Sequence, residues 1–191
     1  MRAPDKTARQ VALLTILICA VMSLLDITFT LFLPESSLSS PYLFRSVIKA
    51  ALFLACPLVW AAAAKNRRVA RCLVPSARGF FTALGTGVAV FVVILGAYFL
   101  LGGLFDLSGI TGSLAGVAGV NQDNFIFVAL YISFINSFLE EFFFRGFAFL
   151  TLLKSSQRLP AYIFSALVFS LYHVSIMIGW FGLPLHLLIL A

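Results

Sequence analysis

The chain reads as long apolar runs cut by short polar segments. The runs extend from Val11 to about Leu33, from about Tyr42 to Ala64, from about Gly79 to Phe105, from about Phe125 to Leu153 and from about Ala161 to Ile178. A further apolar stretch begins at Leu185 and runs to Leu190. A membrane-crossing helix needs about 17–25 predominantly apolar residues, and all five runs reach that length. They are continuous rather than alternating, which disfavours a transmembrane β-barrel. The pattern therefore predicts an all-α, polytopic transmembrane helix bundle with five full spans and the start of a sixth.

The polar segments orient the spans. Arg2, Lys6 and Arg9 precede the first run; Lys65, Arg67, Arg68, Arg71 and Arg78 lie between the second and third; Lys154 and Arg158 lie between the fourth and fifth. The intervening loops, 34–41 and 106–124, are acidic or neutral. Basic segments stay on the cytoplasmic side. This predicts a multi-pass protein of the cytoplasmic membrane with a cytoplasmic N-terminus. The first run exceeds the 7–15 residues or so of a signal-peptide core and reads as an uncleaved helix. Arg45 and Lys49, in the first two turns of the second run, dissent from the charge pattern, and their long stems allow them to snorkel to the interface.

Composition agrees. The chain of 191 residues is 62% hydrophobic and 10% charged, against about 25% charged in a soluble domain. Its mean hydropathy is +1.08. The net charge of +6 would suggest nucleic acid in a soluble protein. Here the basic residues flank apolar runs, so they read as topology signals with contact to anionic lipid, and no nucleic-acid partner is expected. Cys19, Cys56 and Cys72 form no C-x-x-C and read as free thiols serving as small core residues.

Charges at membrane depth are costly and mark functional candidates. Three cluster in the fourth span: Glu140, Glu141 and Arg145. Glu141 and Arg145 are four apart and can pair on one helix face; as a pair they also fit a purely structural role. Glu140 is rotated about 100° away and has no charged partner on its own helix. A carboxylate so placed suits general acid–base work. His173 stands in the fifth span. Counted from the short turn between the two spans, at about 1.5 Å per residue, Glu140 and His173 both lie roughly 20 Å from the helix ends. A short connection makes the two helices antiparallel neighbours. The carboxylate and the imidazole are thus expected at one level, where they could activate a water or a metal-bound water.

These residues resemble a known family. Glu140, Glu141 and Arg145 match E-E-x-x-x-R, and Phe169 with His173 matches F-x-x-x-H. Together they are similar to the two motifs of the CPBP family of intramembrane proteases, named for CAAX proteases and bacteriocin-processing enzymes and also called Abi. The resemblance covers about Phe125 to Ala191. It divides the chain into residues 1–124, three helices with loops, and residues 125–191, a partial protease core. It implies an intramembrane endopeptidase in which Glu140 activates water. His173 would hold that water and the developing oxyanion, while Glu141 and Arg145 balance charge. It leaves the cofactor unknown: a divalent metal such as zinc, held by Glu140 and His173, or the glutamate alone. The implied partners are a peptide or membrane-protein substrate and the lipid bilayer.

The family pattern continues with a further helix bearing a second His and, four residues on, an Asn or Asp. No such helix follows in the sequence given, and His186 reads as packing or interfacial. The expectation is a C-terminally truncated member with an incomplete site. The competing function is a non-catalytic membrane protein of the same family that binds a peptide or confers immunity to a bacteriocin. A proton-coupled carrier ranks last, because the fourth span has no Pro and one Gly. Asp26, at a depth close to that of Glu140, is a further residue to weigh. Asn136, one turn before Glu140, could orient it. Ser133 and Ser137 are expected to bond between helices, and Phe142 to Phe144 to pack.

Overall fold

The computed structural model describes residues 5–32, 41–74, 76–104, 124–155 and 158–176. These form α1 (Lys6–Phe32), α2 (41–63), α3 (Arg67–Arg71), α4 (Ala77–Leu101), α5 (125–155) and α6 (Arg158–Ile176). A 3-10 turn, Gly102–Leu104, extends α4, and no strand occurs among the described residues. A bilayer requires every backbone group to be satisfied within the segment, which continuous helices achieve. Four stretches are long and apolar enough to cross a membrane: Lys6–Thr28, Phe44–Ala63, Ala77–Leu101 and Phe125–Lys154. The fifth expected span corresponds to α6, which is described up to Ile176. The expected sixth span, with His186, and nearly all of the loops at 34–41 and 106–124 lie outside the described residues.

Two of the long helices are not α-helical throughout. α2 widens to a π-helix at Ala51–Ala55, and α5 does so at Tyr131–Asn136 and again at Glu141–Phe149. Only Ser137–Glu140 between the last two is α-helical. Ser137 accordingly donates to the carbonyl of Ile132, five residues back, at 2.9 Å; the expected bond to another helix is not what it makes. π-helical turns concentrate at functional sites, and here they flank Lys49 and Glu140.

The core is aromatic and centres on the second half of α5. Phe142, Phe143 and Phe144 are consecutive and all buried, as are Gly146, Phe147 and Ala148. A helix with one buried face does not bury three successive side chains; this segment is enclosed by α1, α2 and α6. Phe53 of α2 stacks on Phe143 with centroids 4.3 Å apart and meets Tyr172 of α6 at 5.5 Å. Gly146 makes one close approach possible. A Cβ added there would meet the Cβ of Cys72 at 3.3 Å, so the turn after α3 sits directly on α5. Cys72 is itself exposed, whereas Cys19 is buried; of these two thiols only Cys19 is a core residue. α4 buries none of its side chains, as expected for a helix whose neighbours are lipid.

Candidate active site

Glu140 is the last residue of the short α-helical turn in α5, and its carboxylate is held from two sides. From α2, the Lys49 ammonium donates to Oε1 at 2.6 Å and to the Asn136 side-chain oxygen at 2.6 Å. Asn136 in turn donates through Nδ2 to Glu140 Oε1 at 3.2 Å. From α6, His173 Nε2 lies 3.8 Å from Glu140 Oε2. The depth counted along the two helices is thus matched by proximity in space. Asn136 does orient Glu140.

Lys49 is the residue that sequence reasoning missed. Glu140 has no charged partner on its own helix, but the fold supplies one from a helix 91 positions away. Lys49 does not snorkel: it is 8% exposed. Its ammonium also lies 5.3 Å and 5.4 Å from the ring centroids of Phe53 and Tyr172. Cation–π attraction of this kind is strengthened by desolvation. The signal available in the sequence was its dissent from the charge pattern, four residues after Arg45. Asp26 of α1 lies within electrostatic reach of both Arg45 and Lys49, which attaches it to the edge of the same polar cluster.

The imidazole is set by its other nitrogen. His173 Nδ1 lies 2.9 Å from the Phe169 carbonyl oxygen. A carbonyl only accepts, so Nδ1 carries a proton, and in the neutral imidazole Nε2 presents a lone pair. Nε2 and Glu140 Oε2 are then two acceptors facing one another, too far apart for a direct hydrogen bond. Such a pair takes a donor placed beside it. A water about 2.8 Å from both atoms would subtend roughly 85° at this separation. The Phe169 ring, 4.2 Å from the imidazole, holds it laterally.

Glu141 and Arg145 pair at 2.6 Å across one turn, both exposed. They are not buried with Glu140. All three line a cavity of ≈490 Å³ between α5 and α6, whose apolar walls include Phe144, Tyr162 and Phe169. Ser165 contributes a buried hydroxyl without a hydrogen-bond partner to the same wall. The size and the mixture of apolar wall with few polar groups suit a peptide segment or small ligand.

The described residues do not by themselves complete a zinc site. A catalytic zinc takes three protein ligands, and no three His, Cys, Asp or Glu side chains come together among the described residues. Glu140 and His173 supply two donors, and the Lys49 ammonium on the same carboxylate repels a cation.

Residues 122–191 match the family described as type II CAAX prenyl endopeptidase Rce1-like. The match includes both motifs and bears out the resemblance they carry. Comparison with curated proteins and with solved structures found no match.

Proposed function

We propose that the chain is an intramembrane endopeptidase of the CAAX-processing type, acting in the cytoplasmic membrane with its N-terminus inside. One observation carries the reading: Glu140, which lines a peptide-sized cavity, has its Oε2 3.8 Å from His173 Nε2. A water held between them loses a proton to Oε2 as its oxygen attacks the substrate carbonyl carbon. The C–N bond then breaks, and the proton on Glu140 passes to the leaving amine. His173 accepts a hydrogen bond from the water. Lys49 and Asn136 occupy Oε1 throughout, so only Oε2 is left to do base work. Arg145 and Glu141 line the peptide-binding side of the cavity.

The test is hydrolysis of membrane-anchored peptides, prenylated and unprenylated, by the full chain in proteoliposomes. Glu140→Gln should abolish turnover while helicity and insertion are kept. Turnover unchanged in that variant would remove Glu140 from the chemistry.

A second reading has an observation of its own. The Lys49–Asn136–Glu140 network is satisfied within the protein, as in a structural ion pair. On that reading the chain binds a peptide without cleaving it, in the manner of an immunity protein. Peptide binding that survives Glu140→Gln, with no hydrolysis by the unaltered chain, would support it.

A further inference from the structure

The membrane-crossing stretches of α2 and α5 close at Ala63 and Lys154, and that of α4 opens at Ala77. α3 lies between the first two and packs on α5 where Cys72 meets Gly146. Between α3 and the end of α5 is a cleft of ≈60 Å³, lined by Asn66, Arg68, Thr151 and Lys154 over an apolar floor that includes Val69 and Leu150. On that measure one water needs about 10–15 Å³, so the cleft has room for a small oxyanion rather than for an organic ligand.

Its charge is one-sided. Arg68 and Lys154 come from different helices, and neither makes an ion pair among the described residues. No Asp or Glu occurs between residues 64 and 105 or after Glu141. Asn66 accepts from the Arg68 amide through its side-chain oxygen, which leaves its NH2 group as a donor. The Thr151 hydroxyl is a second donor. A few residues on, the exposed Phe80 and Phe81 begin the lipid-facing surface of α4.

We propose that this cleft binds the phosphate of an anionic phospholipid headgroup, with Arg68 and Lys154 as the cations and Asn66 and Thr151 as hydrogen-bond donors. The level fits: spans end where headgroups begin. The chemistry fits: a phosphate is recognised by charge-assisted hydrogen bonds from Arg and Lys. The acyl chains then lie along apolar helix surface. The inference stands apart from the catalytic reading, since none of these residues touches Glu140 or His173.

The full chain is reconstituted in nanodiscs of phosphatidylcholine with phosphatidylglycerol, and the lipid retained on release is read by native mass spectrometry. Arg68→Gln and Lys154→Gln each lower retained phosphatidylglycerol by about ten-fold or more, the scale of a lost charge-assisted hydrogen bond. Arg67→Gln and Arg71→Gln remove the same charge from outside the cleft and change retention by about two-fold or less, as expected of charges that do not touch the bound phosphate. Phosphatidylcholine is not retained, and millimolar inorganic phosphate does not displace the lipid. Equal losses in all four variants overturn the site in favour of a diffuse basic surface. Displacement by free phosphate, or by an acidic peptide, overturns the assignment of a lipid as its occupant.

Discussion

Replacing Lys49 by Met keeps an unbranched stem of similar length and removes only the ammonium. Two hydrogen bonds go with it, to Glu140 Oε1 and to Asn136, each 2.6 Å long. Glu140 is left with one protein donor, Asn136 Nδ2 at 3.2 Å, and its side chain is only 16% exposed. Removing one partner of a buried pair costs about 3–5 kcal/mol, because the other charge is left uncompensated. The residual exposure and the Asn136 bond place this case near the lower end, about 3 kcal/mol. Glu140→Gln alone leaves the ammonium with two neutral acceptors and should cost less. The double variant Lys49→Met/Glu140→Gln has no uncompensated charge and should be more stable than Lys49→Met. The cycle then gives a coupling energy of about 2 kcal/mol. The assay is reversible unfolding in mixed micelles, followed by circular dichroism. Single effects that add to within about 0.5 kcal/mol would mean that the two residues do not interact, and the positioning of Glu140 by α2 would fall.

Three other outcomes follow from the same geometry. Gly146→Val forces side-chain atoms into Cys72 and should cost about 1–3 kcal/mol of stability; Cys72→Gly in the same chain should recover part of it, as read by thermal unfolding. Glu141→Gln breaks an exposed pair across one turn and should change stability by no more than about 0.5 kcal/mol, so a larger loss of turnover than of stability would mark a role in the cavity. His173→Gln should lower turnover by about 10²-fold or more with little change in unfolding midpoint, and an undiminished initial rate would show that Nε2 does not hold the water.

The parts of the site that follow from helices as rods were legible in the sequence. Glu140 and His173 lie at similar distances from a short turn, and a fixed rise per residue brings them to one level. The helix positions were legible for the same reason, since apolar length alone sets them. Lys49 was not legible as a partner, because a pairing across 91 residues depends on which faces of α2 and α5 meet, and one sequence does not say which helices are neighbours. The π-helical turns escaped as well: they differ from α turns in which carbonyl each amide reaches, and residue type does not declare that. The burial of Phe142, Phe143 and Phe144 was expected as packing, but that they form the centre of the bundle rather than one face depends on three other helices.

The distance in sequence between Lys49 and Glu140 has a meaning during biosynthesis. A ribosome adding about 5–20 residues per second takes roughly 5–18 s to make the 91 residues between them. For that interval the Lys49 ammonium is without the carboxylate it finally pairs with. Its four-carbon stem can hold the charge among the headgroups meanwhile. Arrival of α5 draws the ammonium inward and, in the same step, fixes the carboxylate. Completion of the bundle and pairing of the two charges are then one event, and a chain halted before Glu140 holds neither half of the pair in place.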